Sequence, residues 1–392
     1  MSLDVRSRNS FHGKRATSDS EFGGPAAFFI AESAPPETDA TIVERGGREA
    51  ERDGFTSILV NQFSDRPDVW ATAGWILSHT NTITVAAAHR VGLQSPTTAA
   101  RALATLDRLS GGRTTVHIIQ GSSDEDMHRE GDWMPKEERY RRSHEYLDIF
   151  KKELTATEPF DYVGDFYRIA GARSATLPVQ QPRPLISSAG ASDAGIELAA
   201  AHADIYALPT VPLANTPELV ARVRDAAAAK GREIGFWLGG FNVILAPSVE
   251  EAWRKAEGIT AEVLAYQERT GYRPDRTRKT GFADDADREL ELAARGDSPA
   301  DAFYGRLGAL TNHGPSLVGS PESVARAYLE YYKLGIEVLT IGGAGELQPR
   351  TGEPELVGAE HRELLRALIS ELKSLTDAYD RQNRIRQERS VS

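Results

Sequence analysis

The sequence predicts a TIM (β/α)8 barrel, an α/β fold, with an insertion between strands 7 and 8 and a disordered or loosely docked N-terminal arm. Short apolar or β-branched runs alternate with helix-length amphipathic segments over residues 25–376. Eight such runs are present, and that number suits a closed parallel barrel better than an open doubly wound sheet. At 392 residues, 40% of them hydrophobic, the chain is long enough for a barrel with insertions and a large core.

Residues 1–24, rich in Ser, Arg and Gly and without periodicity, read as the arm. Strand one is expected at 26–31 (AAFFIA), followed by a helix over 38–53 that Gly54 closes. Strand two is 57–60, and Asp68 caps a helix running to Leu77. Strand three spans 83–88 and ends on His89-Arg90. Ser95 as N-cap and Pro96 at the first helical position then open a helix that Gly111-Gly112 stops. Strand four is 115–119, and after a polar loop a helix covers 136–155. A linking stretch with room for a small hairpin leads to strand five at 185–188, a helix ending at His202, and strand six at 204–207. A helix at 216–230 precedes strand seven at 236–245, which Gly239-Gly240 interrupts. Strand eight is 338–341, covered by a helix over 360–375. The charged stretch at about 268–315 breaks the rhythm and reads as the insertion, a lid over one end of the barrel. Residues 377–392 read as a charged tail.

A formal charge of −11 argues against nucleic acid or an anionic membrane as partner. The absence of cysteine excludes disulfides, thiolate catalysis and iron–sulfur clusters. With no apolar run of spanning length and no secretory segment at the start, a cytoplasmic protein is expected. There is no metal-binding pattern: Asp124-Glu125-Asp126 with His128 reads as a solvated acidic loop.

Barrels carry their ligand-binding groups at the carboxyl ends of the strands. Strand four presents His117 and Gln120 there, and the next helix places Tyr140 in its second turn, facing back. After strand five, Ser188 and the turn Gly190-Ala191-Ser192 open a helix whose N–H groups can cradle an anion, although the same turn also suits a plain serine N-cap. Asn61 and His89, at the ends of strands two and three, are expected to face the same pocket. Neither GxxxxGK[ST] nor a GxGxxG that opens a helix is present, so a Rossmann-bound dinucleotide is unsupported.

These segments resemble the bacterial-luciferase-like flavin-dependent monooxygenases, and among them the alkanesulfonate and dimethylsulfone branch. The likeness rests on SPTTAARALATLDRLSGGR at 95–113, GlnGlySerSerAsp at 120–124, Glu138-Arg139-Tyr140 and Gly190-Ala191-Ser192. It implies non-covalent reduced FMN at the strand ends, oxygen adding at the flavin C4a position, and transfer to a small substrate such as a sulfone, ketone or organosulfur compound. It also implies a separate NAD(P)H:flavin reductase and a homodimer or homotetramer. Carried over, His117 and Gln120 line the flavin ring, and Tyr140, Ala191 and Ser192 take the phosphate. The branch departs here in three places. Its strand-seven Arg-x-His pair is Gly240-Phe241-Asn242, its late Arg falls at about Asn312-His313, and its final-strand Tyr falls in the run Gly342-Gly343-Ala344-Gly345. Without those groups an anionic sulfonate loses its charge-assisted bonds. Trp237, Phe241, Asn242, His313 and Trp133 then suit a neutral or larger substrate, with His117, Asn242 and His313 as catalytic candidates. A deazaflavin-dependent oxidoreductase, or a flavin binder without turnover, remains the alternative.

Overall fold

A computed structural model of the chain describes residues 3–8, 39–121, 123–271, 298, 302–311, 314–343 and 359–391. In chain order the elements are β1 (Asp4–Arg8), α1 (Ala40–Arg52), β2 (Ser57–Val60), α2 (Val69–Ser78), β3 (Thr84–Arg90), α3 (Pro96–Ser110) and β4 (Thr114–Ile119). There follow α4 (Asp124–Arg129), α5 (Lys136–Thr155), the hairpin β5 (Phe160–Val163) and β6 (Arg168–Ala172), β7 (Ile186–Ala189), α6 (Asp193–His202), β8 (Ile205–Leu208) and α7 (Thr216–Ala228). The last part comprises β9 (Gly235–Leu245), α8 (Val249–Thr270), β10 (Phe303–Tyr304), α9 (Arg306–Thr311), β11 (Ser316–Gly319), α10 (Pro321–Lys333), β12 (Ile336–Gly343) and α11 (Ala359–Val391).

Eight strands close in parallel in the order β1-β2-β3-β4-β7-β8-β9-β12, with β12 returning to β1. Alternation along each strand separates two layers. Leu59, Ala86, Ala88, Ala189, Ile205, Ala207, Trp237 and Val338 fill the lumen. Ile58, Val85, Ala87, Phe236 and Leu339 face outward against the helices.

The strand that completes the barrel is not where apolar patterning puts it. Residues 26–31 lie outside the described residues, and Asp4–Arg8, within the expected loose arm, pairs with both β12 and β2. Val5 is buried in the outer layer while Arg6 turns inward. Arg6 Nε donates to Ser57 Oγ at 2.8 Å and Nη2 to Asp4 Oδ2 at 2.9 Å, and Asp4 also accepts from Thr56 and Ser57 hydroxyls. A strand this polar reads as surface chain because its partners are distant in sequence. Further on, α11 runs through the expected tail: Tyr332 Oη donates to Asp380 Oδ2 at 2.8 Å and stacks edgewise on Tyr379, docking the helix on α10. At its start, Arg362 meets Glu49 at 2.6 Å and Arg366 meets Asp53 at 2.7 Å, clasping the last helix to the first.

Of the expected insertion, the described parts are the end of α8, the Ser298–Phe303 bridge, β10 and α9. β11 pairs with β9 over Asn242–Leu245, on the side that β8 leaves free beyond Leu238.

The 95–113 segment folds as its punctuation requires. Ser95 Oγ accepts from Thr98 N at 3.3 Å, and Gly111 ends α3 in the left-handed region. Arg113 donates to Leu77 O, Ile83 O and Thr80 Oγ1. Asp107, fully buried, accepts from Val179 N at 2.6 Å, Gln180 N at 3.0 Å and Gln180 Nε2 at 2.5 Å. These contacts brace the amino-terminal end of the barrel. Replacing Asp107 with Ala leaves several buried donors without an acceptor and should cost about 2–4 kcal/mol. A denaturation midpoint equal to that of the parent chain would show that the carboxylate is not structural.

Candidate active site

The site is built where β4, β7 and the start of α6 meet α5. Gly190, with φ of +133°, ends β7 in a conformation that side-chain-bearing residues rarely adopt. A Cβ there would lie 3.0 Å from Tyr140 Oη and 3.2 Å from Gly195 Cα, so Tyr140 from α5 does arrive at this turn. Tyr206 Oη donates to Gly190 O at 2.9 Å and fixes the peptide. Ser192 is the N-cap of α6, its Oγ accepting from Gly195 N at 3.3 Å. The N–H groups of Ala191 and Ser192 and the Tyr140 hydroxyl have no hydrogen-bond partner among the described residues. Next door, at the tip of β4, Gln120 is 8% exposed and its Nε2 is buried without a partner. Buried donors are normally satisfied. Here three neighbouring elements leave donors open at one helix start, an arrangement that fits a phosphate and the polar edge of a ring.

One layer below, His117 points into the lumen. Its Nδ1 lies 3.0 Å from Ser187 Oγ, and its ring meets Trp237 edge to face at 4.8 Å. Trp237 Nε1 donates to Thr340 Oγ1 at 2.5 Å, and the Arg6 guanidinium covers its other side, 4.5 Å from the ring centroid. Burial, helped by the Arg6 charge, pushes the His117 imidazole down to about 3. Asn242 is buried at the tip of β9, with its Oδ1 3.1 Å from where a Cβ on Gly342 would stand. Asn61 lies partly buried just after β2.

Three expected site residues turn away. His89 follows the inward Ala88, so it faces outward. Its Nε2 bonds Tyr146 Oη at 2.5 Å beneath Trp70, and burial lowers its pKa to about 4. Ser188 lies outward between β7 and β4, its hydroxyl donating to Ile118 O at 3.4 Å. Phe241 is fully buried among Phe303, Tyr328 and Tyr331. Its phase is reversed by a bulge: Leu238 pairs with Leu339 and Phe241 with Ile341, so β9 carries one residue more than β12 between those pairs. Trp237 is a lumen residue bonded to Thr340, His313 lies outside the described residues, and Trp133 is exposed and stacked on His128.

Two features escaped the sequence. Residues 124–129 form a helix, not a solvated loop, because distant arginines pair with its acids. Arg90, 1% exposed, bonds Glu130 at 3.0 Å and also Asp126, while Arg139 bonds Asp124 at 2.9 Å. The second is Arg6, hidden in the polar first strand. Among the described residues no group of three or more His, Asp or Glu side chains could hold a metal, and no helix is long and apolar enough to cross a membrane.

Replacing Gly190 with Ala forces a strained turn and pushes on Tyr140, and should lower stability by about 1–3 kcal/mol. A calorimetric Tm unchanged from the parent would refute the close approach. His89 and His117 have depressed folded-state pKa values, so the unfolded chain binds the extra protons between the ordinary histidine value and their folded values. Stability should therefore be complete above about pH 6.5 and fall as pH drops toward 4, by up to about 1.4 kcal/mol per unit for each group. Chemical denaturation across that range reads the slope, and a flat profile contradicts it.

A riboflavin lyase solved with modified FMN and riboflavin superposes with a TM-score of 0.66 at 18% identity, covering 95% of this chain and 92% of its own. The EDTA monooxygenase of Chelativorans sp. BNC1 gives 0.69 at 16%, covering 97% and 95%. An F420-dependent secondary alcohol dehydrogenase gives 0.60 at 15%, covering 94% and 99%. At such identities these structures speak for the fold. The family model described as luciferase-like monooxygenase matches residues 22–337, and the chain belongs to that family.

Proposed function

We propose that the protein binds reduced FMN at the barrel mouth and, with O2, oxygenates a small neutral organic substrate of the sulfone, ketone or organosulfur type. The observation that carries this is the group of open donors on adjacent elements: Gln120 Nε2, Tyr140 Oη and the N–H groups of Ala191 and Ser192. The helix start with Tyr140 would hold the phosphate, and Gln120 would donate to a carbonyl of the ring. When bound, the flavin supplies the activation of oxygen.

The chain's own residues do the rest. Ser187 Oγ lies 3.3 Å from Val116 O as well as 3.0 Å from His117 Nδ1. A carbonyl only accepts, so the Ser187 proton goes there and His117 Nδ1–H donates to the serine oxygen. That leaves Nε2 as a bare acceptor in the lumen, suited to hold an N–H of the ring. At the mouth the Arg90 cation is taken up by Asp126 and Glu130, and Asn242 stands inward where the resembled branch carries a cation. Both favour an uncharged substrate. Without a dinucleotide fingerprint in the sequence, a separate NAD(P)H:flavin reductase would deliver the reduced flavin.

The test is anaerobic titration with reduced FMN, reduced riboflavin and reduced deazaflavin, followed by oxygen uptake and a mass screen of candidate substrates for a gained oxygen atom. Replacing Tyr140 with Phe and Ser192 with Ala together should weaken reduced FMN about 10- to 100-fold while affecting riboflavin far less. Equal losses for the two ligands, or none, would remove the phosphate from this turn. Tighter binding of the deazaflavin would favour a hydride-transfer enzyme instead.

A further inference from the structure

We infer that Arg6 is a positioning residue: stacked on Trp237, it keeps His117 a neutral imidazole whose Nε2 is offered upward as a hydrogen-bond acceptor. The consequence for flavin rests on the cofactor reading above, whereas the effect on His117 does not. An arginine 4% exposed inside a barrel is retained only where it is well partnered. Arg6 has Ser57 Oγ, Asp4 Oδ2 and the Trp237 face, and those bonds hold the guanidinium against the indole. The indole is in turn fixed by Thr340 and set edge-on against His117.

Among the groups around His117, Arg6 is the charge that adds to the effect of burial. From β3 the imidazole faces Ala88, from β7 Ser187 and Ala189, from β9 Trp237, and from β1 Arg6, with Asp4 as the counter-ion of Arg6. A second cation on the imidazole would have to share a low-dielectric lumen with the guanidinium. Ser187, already donating to Val116 O, accepts from Nδ1–H and selects the tautomer. Burial is the larger cause, Arg6 adds its charge and Ser187 sets the orientation, so Nε2 stays unprotonated well below neutral pH.

The experiment is long-range proton–nitrogen NMR of histidine-labelled full-length protein without flavin, titrated downward from about pH 8. The parent chain should show His117 as the neutral Nδ1–H tautomer throughout its folded range. Arg6→Met should raise its midpoint by about one unit or more, while Arg6→Lys, which keeps the charge, should stay near the parent. A midpoint in Arg6→Met that matches the parent, or an Nε2–H tautomer in the parent, overturns the proposal. Should Arg6→Met fail to fold, Arg6→Gln retains a donor for Ser57 and must show the same rise. Reduced-FMN affinity is measured alongside. It should fall in Arg6→Met at low pH and recover as pH is raised, a rescue that a merely structural defect would not give. A parent chain that shows the expected histidine titration yet binds no reduced FMN refutes the cofactor reading and leaves the role of Arg6 toward His117 intact.

Discussion

A parallel sheet of eight strands loses its free edges only when the first strand lies between the second and the last. That constraint is met here by five residues, Asp4–Arg8, hydrogen-bonded to β12 on one side and β2 on the other. The strand brings a buried cation with it. Closure and the polarity of the lumen are thus one event, because Arg6 reaches Ser57 and Trp237 only when β1 is in place. Ser57, Trp237, Thr340, Ser187 and His117 then form a bonded layer instead of the purely apolar filling that the small residues Ala86, Ala88 and Ala207 alone would allow.

Elements whose signals are local were legible in the sequence. The Asp68 cap, the Ser95-Pro96 start, the Gly111 stop and the apolar runs of β2, β3, β4 and β9 depend on neighbours a few residues away. Those that draw on distant partners were not. β1 reads as polar chain because its alternation is satisfied by Thr56, Ser57 and Trp237. The helix at 124–129 needs Arg90 and Arg139, and the end of α11 needs Tyr332. Side-chain direction was the weakest inference. A strand's period of two is visible, but its phase is set by the barrel. His89 therefore fell on the wrong face by one position, and the β9 bulge carried Phe241 outward. The Tyr140–Gly190 meeting was legible because both positions lie at the same end of consecutive barrel units.

Most buried polar groups are partnered within the chain, although Trp253 Nε1 and both ring nitrogens of His361 have no hydrogen-bond partner among the described residues. Asp107 takes three donors and Arg113 fills four acceptors at the amino-terminal end of the barrel, and at the mouth Asp126 binds Arg90 together with the Ser64 hydroxyl and N–H. The open donors on Gln120, Tyr140 and the 191–192 turn differ in coming from neighbouring elements beside one helix start.

The segment 95–113 spans the barrel from one end to the other. It opens at Ser95, shortly after Arg90 at the mouth, and closes on Asp107 and Arg113 at the opposite end of the barrel. The contacts that brace the barrel and the side chains at the strand tips thus lie at opposite ends of the same elements. Two proteins can share the former entire and differ wholly in what they oxidise.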